Sequence, residues 1–454
     1  MKETIKSWTL SILVIGSLLL TWQNWSFQPE YENVNSSESV QETTEIAETR
    51  EAGEVVRPNQ GVVRSNGSSS LMTEDQAASD LDKVYRQFEE ADISETSVTD
   101  LDHNELYQRA SSSEYSIELV FPSAISWSMV NELFSFEDEN NEVEEALDGS
   151  IDRIILTASP GSEELNAVFV SYDEGAIVNS NTNLDKNEIE YEQYLAEHES
   201  MLTHDVDEDG YEKHIYLPQN PGSRTNYTYA STDLSTKEFQ QVLMPDENTQ
   251  SLQTYTNDST EVITDGTREL RINNAGDYLR YANPTYSEQT DGSDTSSIIS
   301  SFEFVNNHAG WSDEYRYYSS STIDGETTDT FRMSKGGLPV FRESNGSDFA
   351  SIQVSNVGTQ TTGYSRPLFD LENNPVRTGD AGVSTDLPSG EETLEAVQEQ
   401  CSSSLVEDIQ IGYSISRNGE NSGYYDMEPG WFVRCDGSWS PVEFDEEGNE
   451  EGGE

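Results

Sequence analysis

The spacing of apolar positions changes several times along the chain, and each change marks an element. The first apolar run is unbroken. Residues 8–20 (WTLSILVIGSLLL) extend to 5–22, about 18 residues and the short end of a membrane-spanning helix. Residues 33–54 are polar, acidic and poor in aromatics, and read as a tether. Residues 55–64 (VVRPNQGVVR) carry β-branched side chains and predict a first strand, which Pro58 would confine to a sheet edge. Thr73 and Gln76 have the spacing of a capping box, and Ala77, Leu81, Val84, Tyr85 and Phe88 follow at helical intervals. Strands are predicted at 115–121, 152–158 and 167–172, a short helix at 126–134, and a long helix at 184–202 carrying Ile189, Leu195, His198 and Leu202.

Beyond PQNPGS at 218–223 the pattern turns to hairpins. Ser235 and Glu238 open a helix bearing Phe239, Val242 and Leu243. Asp265-Gly266 turns a hairpin within 262–272, residues 278–281 continue it, and 297–305 read as helix. Residues 328–341 form a hairpin turning at Gly336-Gly337, strands follow near 349–355 and 363–371, and a helix spans 392–401. The last strands are 406–416 and 424–434. Strand runs mixed with isolated helices imply an α+β fold, mainly antiparallel sheet with packed helices, rather than a parallel βαβ sheet. The expected organisation is a cytoplasmic segment 1–4, a transmembrane helix 5–22, the tether, two or three external α+β domains at 55–217, 224–320 and 327–442, and a disordered acidic tail at 443–454.

Charge narrows the partners. Eighty-seven acidic against 24 basic residues give a net charge of −63, which repels nucleic acid and anionic lipid headgroups. Only 33% of residues are hydrophobic, which would fit disorder, but 10% aromatics argue for a folded body. Lysine is scarcer than arginine, as suits an acidic surface whose self-repulsion is screened in high salt.

The flanks of the apolar run set the compartment. Lys2 and Lys6 precede it, Glu30, Glu32 and Glu38 follow, and the next basic residue is Arg50. The positive-inside rule leaves the N-terminus cytoplasmic and the bulk of the chain extracellular. A cleaved signal peptide would need small residues at its cleavage site, and TWQNWSFQPEYE supplies bulky ones. In an oxidising compartment Cys401 and Cys435 could form a disulfide or remain as two thiols; spacing decides neither.

The chemistry of catalysis is thin. Asp205, Asp207, Asp209 and Gly210 open like a calcium loop, but the ninth position is Lys213 and the twelfth is Tyr216 where a bidentate Glu belongs, so a solvated turn is expected. Five histidines and two cysteines form no zinc pattern, and the nucleophile, phosphate-loop and dinucleotide motifs are missing. No cofactor, metal or catalytic residue is assigned. On the apolar helix Thr4, Ser7, Ser11, Val14, Leu18 and Thr21 share one face, where hydroxyl and small residues let a second membrane helix approach; hydroxyls bonding back to their own helix would produce the same pattern.

Several segments together carry a resemblance. ETIKS before the apolar run and LTWQNWSFQPEYE after it, VVRPNQ at 55–60, ELVFPSAISWSMVNELF at 118–134, FRMSKGGLPVF at 331–341, and IGYSIS with MEPGWFV near the end resemble the YycH family of Gram-positive bacteria. The resemblance implies a non-enzymatic, membrane-anchored regulator of the WalK (YycG) sensor histidine kinase, which governs cell-wall metabolism. It further implies a YycI-like partner, contact through membrane helices, and external α+β domains without catalysis. The rival expectations are an anchored external wall-polymer hydrolase using two carboxylates and a wall-binding module.

Overall fold

A first sheet drawn from residues 60–218 and a second drawn from 227–441 make up most of the chain, here in a computed structural model. The structure describes residues 47–444 apart from 74–79, 101–114, 137–148, 159–161, 173–174, 190–192, 195–198, 205–212, 246–251, 258–259, 274–277, 285–295, 343–348, 377–383 and 419–422. Those described belong to one compact unit, Thr44–Glu454.

The first sheet has ten strands. From edge to edge they are Ile215–Pro218, Glu199–His204, Ser68–Thr73, Gln60–Ser65, Tyr115–Ser126, Ser150–Ala158, Glu164–Ser171, Ala176–Asp185, Asp92–Asp100 and Ser135–Phe136. Alternation along these strands sends Leu119, Ile154 and Phe169, which stand opposite one another, to a single face. Helices Asp80–Glu89 and Trp127–Leu133 close that face, with Phe88 and Trp127 packing on Phe169 at 6.1 and 5.5 Å between ring centroids. Ser126 caps the second of these helices by accepting from the Met129 amide.

The second sheet has 14 strands. Its main path is Gln253–Asn257, Thr260–Thr264, Glu269–Asn273, Tyr278–Ala282, Gln360–Pro367, Ser351–Val357, Glu326–Lys335, Leu338–Arg342, Val406–Arg417, Tyr424–Cys435, Tyr227–Asp233 and Phe369–Leu371. Tyr315–Ile323 and Ser438–Pro441 add to its sides. Helix Ser297–Asn307 lies over the central strands, where Ser297 and Ser301 each donate to the fully buried Asp329 at 2.6 Å. Helix Gly390–Gln400 starts in a complete capping box between Ser389 and Glu392. One contiguous apolar core runs through both sheets, from Val55 to Val442.

Antiparallel sheet with packed helices is therefore the architecture, and the hairpins at Asp265-Gly266 and Gly336-Gly337 form where the turn residues place them. Other expectations are corrected. The strand expected over 55–64 begins only at Gln60 and is interior, paired on both sides, because Pro58 precedes it and costs the ladder no hydrogen bond. Residues 52–55 form a short helix instead. The helix expected behind Thr73 starts at Asp80, and Thr73 ends a strand; Ala77 lies outside the described residues. Of the helix expected at 184–202, the described residues show helix only at Gln193 and Tyr194; one strand ends at Asp185, and another spans Glu199–His204, paired with the following strand Ile215–Pro218 and with the distant Ser68–Thr73. Residues 321–326, expected to separate domains 224–320 and 327–442, instead lie in a hairpin whose strands Tyr315–Ile323 and Glu326–Lys335 turn at Asp324-Gly325 within one sheet. Residues 47–54, assigned to the tether, are docked on the fold.

Residues 5–22 lie outside the described residues, among which no helix is long and apolar enough to cross a membrane. Within the second sheet, strand Leu338–Arg342 joins Val406–Arg417 in parallel register, Val340 opposite Tyr413. Gly412 permits that approach, since a Cβ there would lie 2.6 Å from Phe341 Cε2 and 2.7 Å from the Pro339 carbonyl oxygen. Gly412→Ala should therefore destabilise the protein by about 2–3 kcal/mol. An unchanged urea midpoint would contradict that close crossing.

Candidate functional site

Three strands of the first sheet set a diagonal of charge on the face turned away from the helices. Glu118 stands opposite Val62 on one side and Ile155 on the other. Two residues along each neighbour, on the same face, come Arg64 and Arg153. Arg64 Nη2 reaches Glu118 Oε2 at 2.9 Å and Arg153 Nη1 reaches Oε1 at 2.7 Å. The edge strand Ile215–Pro218 seals the cluster: the Tyr216 hydroxyl donates to Glu118 Oε2 at 2.8 Å, and Arg153 Nη2 donates to the His214 carbonyl at 2.5 Å. Arg153 also lies over the rings of Tyr172 and Tyr216, at 5.0 and 5.3 Å from their centroids.

Glu118 is wholly buried. Burial alone would raise its carboxyl, but the two guanidiniums outweigh that and hold its pKa down at about 2. Burial likewise pushes the Tyr172 and Tyr216 phenols upward. A carboxylate locked in its charged form between permanent cations does not exchange protons near neutrality, so the cluster ties strands together and is unsuited to acid–base catalysis.

A shallow cleft follows the seam between the two sheets, with Asn59, Gly337, Pro339 and Gln410 along its floor. Asn59 Nδ2 donates to Gln410 Oε1 at 3.4 Å, and the Tyr317 hydroxyl donates to the Ala124 carbonyl at 2.9 Å across the same seam. The arginines in its walls serve the fold. Arg57 pairs with Asp82 at 2.5 Å, Arg316 donates to the Glu54 carbonyl, and Arg332 donates to the Val340 carbonyl at 3.0 Å over the ring of Phe341. Among the described residues no group of three or more His, Cys, Asp or Glu is placed to hold a metal ion.

A second buried pair lies deeper in the second sheet. Lys335 Nζ meets Asp313 Oδ1 at 2.7 Å, and Asp313 also accepts from the Glu314 and Leu371 amides. Half-buried Asp370 is close enough to feel this carboxylate. Burial first, then the negative charge of Asp313, push its pKa up to about 6.

The sequence-assigned residues fare differently. Cys401, at the end of helix Gly390–Gln400, is bonded to Cys435 at the end of strand Tyr424–Cys435, with 6.3 Å between Cα atoms. Closing that loop of 34 positions is worth roughly 3–4 kcal/mol. Thr4, Ser7, Ser11, Val14, Leu18 and Thr21 lie outside the described residues, as do Asp205, Asp207, Asp209 and Gly210. Tyr216, where a calcium loop would need Glu, is instead a buried strand residue of the Glu118 cluster. Sequence reasoning missed that cluster, although its signal was present: Glu118 and Arg64 interrupt apolar alternation in adjacent strand segments.

Two measurements follow from these charges. Glu118→Gln removes the anion from between two buried guanidiniums and should cost about 3–5 kcal/mol in chemical denaturation. Because the folded pKa is depressed, the carboxylate's contribution is complete above the ordinary pKa and is lost as pH falls towards about 2. Wild-type stability should thus fall more steeply than that of the variant below pH ~4.5. Asp370 has the opposite sign: its raised folded pKa makes its contribution less favourable as pH rises from the ordinary carboxylate value to about 6. Asp370→Asn should flatten that slope and add about 1 kcal/mol at pH 7, allowing for solvent screening; a variant no more stable than wild type at pH 7 would contradict the assignment.

With this geometry in view, comparison with known proteins is specific. The YycH protein N-terminal domain family matches residues 3–196, and the YycH protein C-terminal domain family matches residues 212–449. The Two-component system WalR/WalK regulatory protein YycH of Bacillus subtilis (strain 168) is 22% identical over 465 residues, covering 97% of this chain and 96% of its own. The crystal structure of YycH from Bacillus subtilis shares the fold, with a TM-score of 0.68 at 18% identity, covering 87% of this chain and 98% of that one. An uncharacterized protein from Eubacterium rectale is similar over 51% of this chain and 84% of its own, with a TM-score of 0.33 and 10% identity. Matched along nearly its whole length by the two domain families in order, the chain belongs to the YycH family.

Proposed function

We propose that this chain is a non-enzymatic regulator of a WalR/WalK two-component system, anchored in the cell membrane by helix 5–22 with its N-terminus in the cytoplasm. The observation that carries this reading is likeness from end to end to a protein named as a WalR/WalK regulator, with 97% of this chain covered. The interior charges agree with it: Glu118 is wholly buried between Arg64 and Arg153, and all three are committed to holding strands of the first sheet together.

In this reading the anchor packs against the membrane helices of the WalK (YycG) kinase through Thr4, Ser7, Ser11, Val14, Leu18 and Thr21, together with a YycI-like partner. The external sheets bias how often that packing forms. Any external ligand acts only through a difference in affinity for the two kinase states.

Replacing Ser7, Ser11 and Thr21 together by Leu removes three hydroxyls worth about 0.6 kcal/mol each, an expected loss of about twentyfold in association. The measurement is co-purification of the kinase from mild-detergent membranes with the full-length chain, with the triple variant, and with residues 1–32 alone. Recovery by both the full chain and residues 1–32, reduced in the triple variant, is the expected result. Recovery by the full chain alone moves the contact to the external sheets. Recovery by none removes the mechanism and leaves wall-polymer binding or hydrolysis to be assayed.

A further inference from the structure

The chain enters its external fold by way of the second sheet, although the first sheet follows it directly in sequence. Glu48 forms an antiparallel bridge with Trp311, whose amide donates to the Glu48 carbonyl at 2.8 Å. Asn306 then holds the backbone of Arg50 at both ends: its Oδ1 accepts from the Arg50 amide at 3.1 Å and its Nδ2 donates to the Arg50 carbonyl at 3.0 Å. The Trp311 indole donates to the same Oδ1 at 2.7 Å, fixing the carboxamide in this orientation.

The cradle is built for a backbone. Ala309 and Gly310 have φ of +90° and +74°, and a Cβ on Gly310 would lie 2.6 Å from the carbonyl oxygens of both Ala47 and Glu48. Only glycine tolerates that combination of conformation and proximity. Arg366, fully buried on strand Gln360–Pro367, supports the turn from behind by donating to the Gly310 carbonyl at 2.8 Å and to Ser312 Oγ at 2.7 Å. Beyond the cradle the strap is pinned again. Arg316 donates to the Glu54 carbonyl, Val55 and Val56 enter the core, and the Tyr85 hydroxyl of the first sheet's helix donates to the Val56 carbonyl at 3.0 Å.

We propose that residues 47–56 are a coupling strap, and that the second sheet, through Asn306, Gly310 and Trp311, is the part of the external fold that acts on the membrane anchor. The strap is pinned to the second sheet at one end and beside the first sheet's helix at the other, with few residues between. The chain at residue 47, which leads back to the anchor, is therefore held by the second sheet and follows it. The inference rests on the reading of helix 5–22 as the signalling element, and it adds which half of the external fold holds the chain that leads to that helix.

The test uses the full-length chain in membranes beside its kinase, with two readouts: amide exchange over 48–54 and the phosphorylated fraction of the response regulator. Asn306→Ala removes three hydrogen bonds and Gly310→Ala forces the Ala47 and Glu48 carbonyls aside. Asn306→Asp keeps the acceptor for the Arg50 amide and the Trp311 indole, sets a charged oxygen against the Arg50 carbonyl in place of the donor, and serves as the second variant if either alanine fails to fold. Exchange at 48–51 should rise at least tenfold while strand Val406–Arg417 keeps its protection, and kinase output should shift severalfold in the same direction in each variant. A freed strap with unchanged output overturns the proposal, as does unchanged exchange. A separate arm replaces helix 5–22 by an unrelated span of equal length. Native output in that arm defeats the helix reading and with it the strap's route to the kinase, whereas silent strap variants beside a responsive helix replacement defeat the strap alone.

Discussion

The pairing of scarce cations with buried acceptors holds this fold together. With 24 basic residues against 87 acidic ones, the chain could have used every cation to relieve surface repulsion. Instead Arg57, Arg64, Arg153, Arg332, Lys335 and Arg366 are each less than a tenth exposed. Inside the protein a guanidinium is screened little by salt and can satisfy carboxylates, carbonyls and aromatic faces together. Arg153 does all three, meeting Glu118, the His214 carbonyl and the rings of Tyr172 and Tyr216. The acidic surface is left to counterions, which screen its self-repulsion.

That allocation bears on function. A cation committed to a neighbouring strand is not free to bind a substrate, and a carboxylate held near 2 is not a general acid. The interior chemistry is thus devoted to holding strands in register. Arg366 illustrates the point: from a strand of the second sheet it fixes the turn at Gly310 that packs against Ala47 and Glu48.

Much of the local structure was legible in the sequence. Leu81, Val84, Tyr85 and Phe88 recur at helical spacing and are all buried on helix Asp80–Glu89. Asp265-Gly266 and Gly336-Gly337 turn hairpins because glycine accepts the positive φ those turns require. The failures have physical causes too. Strand Asp92–Asp100 is nearly devoid of apolar residues, so it carries no period; it is held by backbone pairing with Ala176–Asp185 and by side-chain bonds such as Asn181 to Glu95. Ile189 and Leu202 suggested a helix, yet the second lies on a strand, opposite Leu217 of the next strand, whose start also pairs with the distant Ser68–Thr73.

The sequence by itself determined the apolar run at 5–22, the acid excess, the Ser235 cap and the glycine hairpins, and the ordered set of segments that marks the family. Each depends on composition or on neighbours within about ten residues, where spacing translates directly into geometry. Only the tertiary structure decided that Glu118 would sit between Arg64 and Arg153, that Cys401 would meet Cys435, and that Arg50 would be held by Asn306, 256 positions away. Those choices depend on sheet register and on which faces pack together, and both are set by the whole core at once rather than by any local stretch of chain.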